Sequence, residues 1–179
     1  MRYRFLGAEF SFGCEGDVME YAAFWLILAA AAATGLLAGA SLDQAVKQLP
    51  ARHRIGIEAY SAYSQAADLA NGILLYGILG VGAAVLTIAA AVVTHVAALP
   101  SAVWVPADLG AVFAVLHSLT TAGAAPINFS QRRAKGDPVA LSRVFNRFAR
   151  WHVARTAFQL VDFGVLLWAV FAATRQVHI

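Results

Sequence analysis

Residues 150 to 162 read Arg-Trp-His-Val-Ala-Arg-Thr-Ala-Phe-Gln-Leu-Val-Asp and run without a break into Gly164, Leu166, Trp168 and Phe171. The stretch reads as a helix entering a bilayer with polar groups on one side. At about 100° per residue, His152, Arg155, Gln159 and Asp162 fall within roughly an 80° arc. Phe158, Val161 and Val165 turn elsewhere. Ionisable groups on a lipid-spanning helix are costly unless they face a partner helix or a wet cavity. The row therefore predicts a bundle with a polar interior, and it is the strongest functional sign in the chain.

The composition agrees. Of 179 residues, 60% are hydrophobic and 13% charged, and the mean hydropathy is +0.67. A soluble domain needs more charge to cover its surface. The net charge of +3 is too small to suggest a nucleic-acid partner, and the single Cys14 allows neither an internal disulfide nor a cysteine metal cluster. No charged segment, short apolar run and small-residue cleavage site precede the first span, so no cleaved signal peptide is expected.

Across the chain, four apolar runs predict spans over about 20–42, 66–98, 106–128 and 151–173, each long enough to cross ~30 Å of hydrocarbon. The expected fold is all-α: one four-helix transmembrane domain over 19–179, after an extramembrane segment over 1–18. Residues 43–58, with Lys47, Arg52, Arg54 and the helix-breaking Pro50, read as a surface loop. So do residues 129–150, with Arg132, Arg133, Lys135, Arg143, Arg147 and Arg150 against Asp137 alone. The far side has only Arg2, Arg4 and Arg175. The positive-inside rule places both basic loops in the cytoplasm and both termini outside a cell membrane crossed several times. The 129–150 loop is expected to contact anionic lipid.

Other spans carry polar groups on single faces. Ser64, Asp68 and Asn71 share one, and His117, Thr121 and Asn128 lie within ~40° of each other on another. If Asn128 is level with Trp151, His117 and Asp162 are each about 16 Å in, near the midplane. A charge-assisted hydrogen bond between them is expected there. Nearer the basic end Asn128, His152, Arg155, Asp68 and Asn71 would converge, with Arg155 and Asp68 as an ion pair. His53 and His95 stand apart. His117 and His152 sit at different depths, which speaks against one metal bridging them, and no HExxH or phosphate-loop motif is present. No metal site is assigned, and the residues name no cofactor.

The Leu49-Pro50-Ala51-Arg52 segment, the Pro126-x-Asn128 end of span three, the basic linker and Trp151-His152-x-x-Arg155-Thr156 together resemble the anthrone-oxygenase-like family of small four-helix integral membrane proteins. The similarity covers roughly residues 20 to 175 in order and spacing. Family members often carry His directly before the Pro-Ala-Arg, where this chain has Leu49. The resemblance implies a four-helix transmembrane bundle, and oxidation of anthrones to anthraquinones by dioxygen without a classical redox cofactor. On that implication a His–Asp pair in an apolar pocket supplies the base for enolate formation, and Asn128 or Arg155 holds the oxyanion.

Two functions follow as expectations. In the first, a cytoplasm-facing pocket handles a hydrophobic aromatic, anthrone- or quinol-like molecule, with His117, His152 and Asp162 catalytic and Asn128, Arg155, Asp68 and Asn71 binding substrate. In the second, the chain is a non-enzymatic accessory subunit that forms a homo-oligomer or a membrane complex through Gly35/Gly39 and Gly77/Gly80/Gly82.

Overall fold

The computed structural model describes the backbone of residues 9–176 and the side chains of residues 18–176. Much of the segment expected over 1–18 lies outside the described residues. From Glu9 onward the chain is already helical, in α1 (Glu9–Asp43).

The next break comes later than Pro50 suggests. A π-helical turn, Gln44–Gln48, joins α1 to α2 (Leu49–Ile55). Pro50 follows this turn inside one helical stretch that runs unbroken from Val18 to Ile55. The expected loop over 43–58 is therefore helical except at Gly56, whose φ of 88° suits glycine and turns the chain into α3 (Ile57–Ala66). A second π-helical turn, Ala67–Asn71, leads into α4 (Gly72–Val96).

Helix α5 spans Ser101–Ser130 and α6 spans Pro138–Thr174. The expected loop over 129–150 shrinks to a tight turn before Asp137. The Asp137 carboxylate accepts from the Val139 and Ala140 N–H groups at 3.0 and 2.9 Å and caps α6, with Pro138 just inside the start. Beyond it, Leu141, Phe145 and Phe148 form a buried stripe, while Arg143, Arg147 and Arg150 share the solvated face.

Among the described residues four helical stretches are long and apolar enough to cross a membrane: Val18–Ile55, Ile57–Val96, Ser101–Ser130 and Pro138–Thr174. Helix α1 packs on α4 and α6, α4 on α5, and α5 on α6, which closes an up-and-down ring. Gly35 lies against Phe163 and Ser41 against His152, so α1 and α6 run antiparallel.

Among the described residues the interior has two apolar cores. One joins Ala23, Ile27, Ala30, Ala90, Val103, Leu166 and Ala169. The other, toward the basic end, joins Leu49, Tyr60, Ile127, Leu141, Phe145 and Phe148. Polar residues from α1, α3, α5, α6 and the turn after α5 are buried as well: Thr34, Ser41, Ser64, His117, Asn128, Gln131, His152, Gln159 and Asp162.

Candidate functional site

A cavity of about 420 Å³ lies within the bundle. It is lined on the polar side by His117, Asn128, Arg155, Gln159, Asp68 and Gln44, and on the apolar side by Leu37, Leu69 and Phe148, among others. Its size is that of a small-molecule site, with few polar groups in a mostly apolar wall.

Helix α6 contributes a fixed cation. Arg155 Nη2 lies 2.6 Å from His152 Nδ1, and His152 Nε2 lies 3.0 Å from the Ser41 carbonyl oxygen. A guanidinium only donates and a carbonyl only accepts. His152 therefore carries its proton on Nε2 and accepts on Nδ1, so both ring nitrogens are engaged. Phe148 stacks on the ring at 5.5 Å. Thr156 Oγ1 donates to the His152 carbonyl at 2.9 Å. His152 is fully buried and does not line the cavity, whereas Arg155 does.

The expected Arg155–Asp68 ion pair does not form. No nitrogen of Arg155 comes within 4.0 Å of a carboxylate among the described residues. Arg155 is drawn to His152 one turn back on its own helix. Asp68 Oδ2 accepts from Ser64 Oγ at 2.8 Å and from Gln44 Nε2 at 3.2 Å. The Gln44–Asp68 bond joins the two π-helical turns across the cavity wall.

Asn71 is exposed and lies off the cavity. The wider turn over Ala67–Asn71 carries it away from the face of Asp68 that α-helical spacing assigned to both. Asn128 is on the wall, where its Oδ1 accepts from Gln131 Nε2 at 2.8 Å. Gln131 also donates to Ser64 Oγ at 3.2 Å and accepts from Ser61 Oγ at 3.0 Å. A continuous polar network thus ties α3 to the end of α5.

Deeper in the bundle, His117 (2% exposed) and Asp162 (0%) are neighbours across α5 and α6. His117 Nε2 lies 3.8 Å from Asp162 Oδ2, too long for the expected hydrogen bond. Neither Asp162 oxygen nor His117 Nε2 has a hydrogen-bond partner among the described residues, and Gln159 Oε1 and Thr34 Oγ1 share that condition. Gly110 makes the room, since a Cβ there would meet Asp162 Oδ1 at 3.3 Å and Leu166 at 3.1 Å. His117 borders the cavity and Asp162 stands behind it.

Sequence reasoning missed Gln131, Ser41, Gln44 and Tyr76. Gln131 follows Asn128 by three residues and Gln44 follows Ser41 by three, a helical signal that was available. The Ser41 contribution is a backbone carbonyl, which no side-chain pattern reveals. The described residues gather no group of three or more His, Cys, Asp or Glu side chains. His95 and Asp108 pair separately at 3.0 Å beside Trp104, at the α4–α5 junction.

The glycines divide into two kinds. A Cβ at Gly35 would lie 2.7 Å from the Phe163 ring, so Gly35 serves packing within the chain. Gly77 and Gly80 line the cavity, where a Cβ would meet nothing within 4 Å.

Fold and site together define an all-α, four-helix, multi-pass integral membrane protein that encloses a pocket with polar and apolar walls. No protein-family model, curated protein or solved structure matches the chain.

Proposed function

We propose that this protein is a membrane-embedded oxygenase acting on a hydrophobic aromatic molecule of anthrone or quinol character. The observation that carries the reading is the meeting, on one cavity wall, of an imidazole backed by a carboxylate (His117 and Asp162) and a guanidinium held by a second imidazole (Arg155 and His152). The resemblance to the anthrone-oxygenase-like family supports the same chemistry. The two π-helical turns at the cavity wall add support, since such turns recur at functional sites.

In this reading Asp162 faces His117 Nε2 and stabilises the charged ring that forms when His117 acts as the base. The separation closes when the ring becomes charged, as active-site contacts tighten on the reaction path. His117 removes the acidic proton of the substrate's methylene or hydroxyl. Arg155 and the Asn128 amide hold the resulting enolate oxygen, whose charge would otherwise be unstable in an apolar cavity. The electron-rich carbanion then reacts with dioxygen. Over the whole reaction an anthrone and one O₂ give an anthraquinone and one water. His152 acts as a positioning residue, because its Nδ1 lone pair is committed to Arg155.

The charge distribution supports a cytoplasmic location for the basic end and outside termini, with Arg143, Arg147 and Arg150 against anionic headgroups. The accessory-subunit reading is less well supported, since Gly35 is already engaged by Phe163 and Gly77 and Gly80 border the cavity.

The test is stoichiometric. Protein in lipid nanodiscs, supplied with an anthrone, should consume one O₂ per quinone formed at a rate proportional to protein. Oxygen uptake no faster than in empty nanodiscs contradicts the proposal.

A further inference from the structure

The cavity has a mouth, and its position is fixed by which lining residues are exposed. Those from α1 and α6 are the enclosed ones: Leu37, Ser41, Phe148 and Gln159 are buried and Arg155 is half-buried. The exposed lining residues are Ile73, Gly77 and Val81 on α4 and Ser118, Ala122 and Phe129 on α5. The opening therefore lies between α4 and α5. Both belong to membrane-spanning stretches and are joined by a short turn, so they pack antiparallel, and with Gly110 against Thr87 this sets Gly80 near the level of His117. The mouth faces acyl chains.

Its rim is built for that contact. Ile73 is 45% and Val81 66% exposed. The rim hydroxyls are satisfied within their own helix: Ser118 Oγ donates to the Ala114 carbonyl at 2.7 Å and Thr121 Oγ1 to the His117 carbonyl at 2.8 Å. In hydrocarbon an unsatisfied hydroxyl would be costly. Gly77 and Gly80 keep the gap free, whereas Gly35, Gly110 and Gly123 abut neighbouring side chains. Inside, the buried Gln159 leaves Oε1 unpartnered on the cavity wall, near Arg155 and His117. The passage thus runs from an apolar rim to a polar end.

We infer that the cavity loads sideways from the bilayer, and that its substrate is a tailed amphiphile. The inference rests on the function proposed above and specifies the substrate class. The aromatic head seats against Arg155 and Asn128, and an aliphatic tail leaves between Gly77–Val81 and Ser118–Ala122 into the lipid. A cavity closed to the bilayer would reject any tail longer than its own 420 Å³ could hold.

The experiment measures equilibrium binding in nanodiscs of a quinol head without a tail and of the same head bearing a decyl chain, each corrected for partition into lipid. The tailed ligand should bind at least as tightly as the bare head. Gly77→Leu combined with Gly80→Leu, at positions where a Cβ meets nothing within 4 Å, should weaken the tailed ligand by about tenfold or more and the bare head by less than about threefold. Gly82→Leu, on the same helix but off the cavity, should change neither.

Wild-type affinity that falls as the tail lengthens overturns the inference while leaving the pocket reading intact, and that comparison needs no variant to fold. Tailed-ligand binding unaffected by the double substitution, in protein that melts like wild type, also overturns it. Failure of both ligands to bind removes the pocket reading and this inference together.

Discussion

Arg155 reaches back one turn of α6 and donates from Nη2 to His152 Nδ1 at 2.6 Å, and His152 is pinned in turn by the Ser41 carbonyl of α1. The sequence places both residues on one helical face and suggests two independent site residues. The structure makes them one device, in which the imidazole aims the cation.

His152→Ala should therefore act through Arg155. The expected result is a raised KM, with kcat reduced much less than in a variant lacking the base. His152→Gln should restore part of the loss, because its amide can also accept from Arg155 and donate to Ser41. Nitrogen-15 shifts of the wild-type ring should show the proton on Nε2. A pure kcat defect with unchanged KM would contradict the positioning role.

Two glycines four residues apart should respond differently to a larger side chain. At Gly35 a Cβ already meets the Phe163 ring, whereas at Gly39 nothing lies within 4 Å. Gly35→Leu should destabilise the bundle by about 1–3 kcal/mol through overpacking. Gly39→Leu should leave the melting temperature in detergent nearly unchanged. Equal effects would show that α1 and α6 do not approach as described.

The segment over 138–150 should behave as a helix standing out of the hydrocarbon. Spin labels at Arg143, Arg147 and Arg150 should be mobile and those at Leu141, Phe145 and Phe148 immobilised, a 3.6-residue pattern. Phe145 is fully buried in the second core, so Phe145→Ala should cost about 3–5 kcal/mol. Uniform mobility across the segment would restore the loop expected from charge alone.

That segment shows what was legible in the sequence. The four spans and the inward row on α6 follow from apolar runs and helical arithmetic, because lipid leaves few other ways to bury backbone polar groups. The basic stretch and the segment around Pro50 are helical where charge and proline point to loops. Charge density suggests solvent exposure, but a helix can solvate one face and bury the other, and the helix continues through Pro50 just after a π-helical turn. His117 and Asp162 do come close, as depth counting suggested, although without the hydrogen bond. Asn71 and the Arg155–Asp68 pair failed for local reasons. A π-helical turn shifts the register after Asp68, and near partners within the chain (Ser64, Gln44 and His152) claim both charges.

Among the described residues Asp162 has no partner besides its approach to His117, so its role should appear in the reaction more than in the fold. Asp162→Asn keeps the volume beside Gly110 and should leave the melting temperature within a few degrees of wild type. It should lower kcat by about 10²-fold or more if the carboxylate stabilises the charged ring. Unchanged kcat would assign Asp162 a packing role only.

The most direct measurement compares substrate-dependent oxygen uptake by wild type and His117→Ala in the same nanodiscs, with melting curves confirming that both are folded. Wild type should oxidise the anthrone, and His117→Ala should be slower by about 10²-fold or more, the usual contribution of a positioned base. Equal rates in the two folded proteins would contradict the role given to His117 and the catalytic reading of the cavity with it.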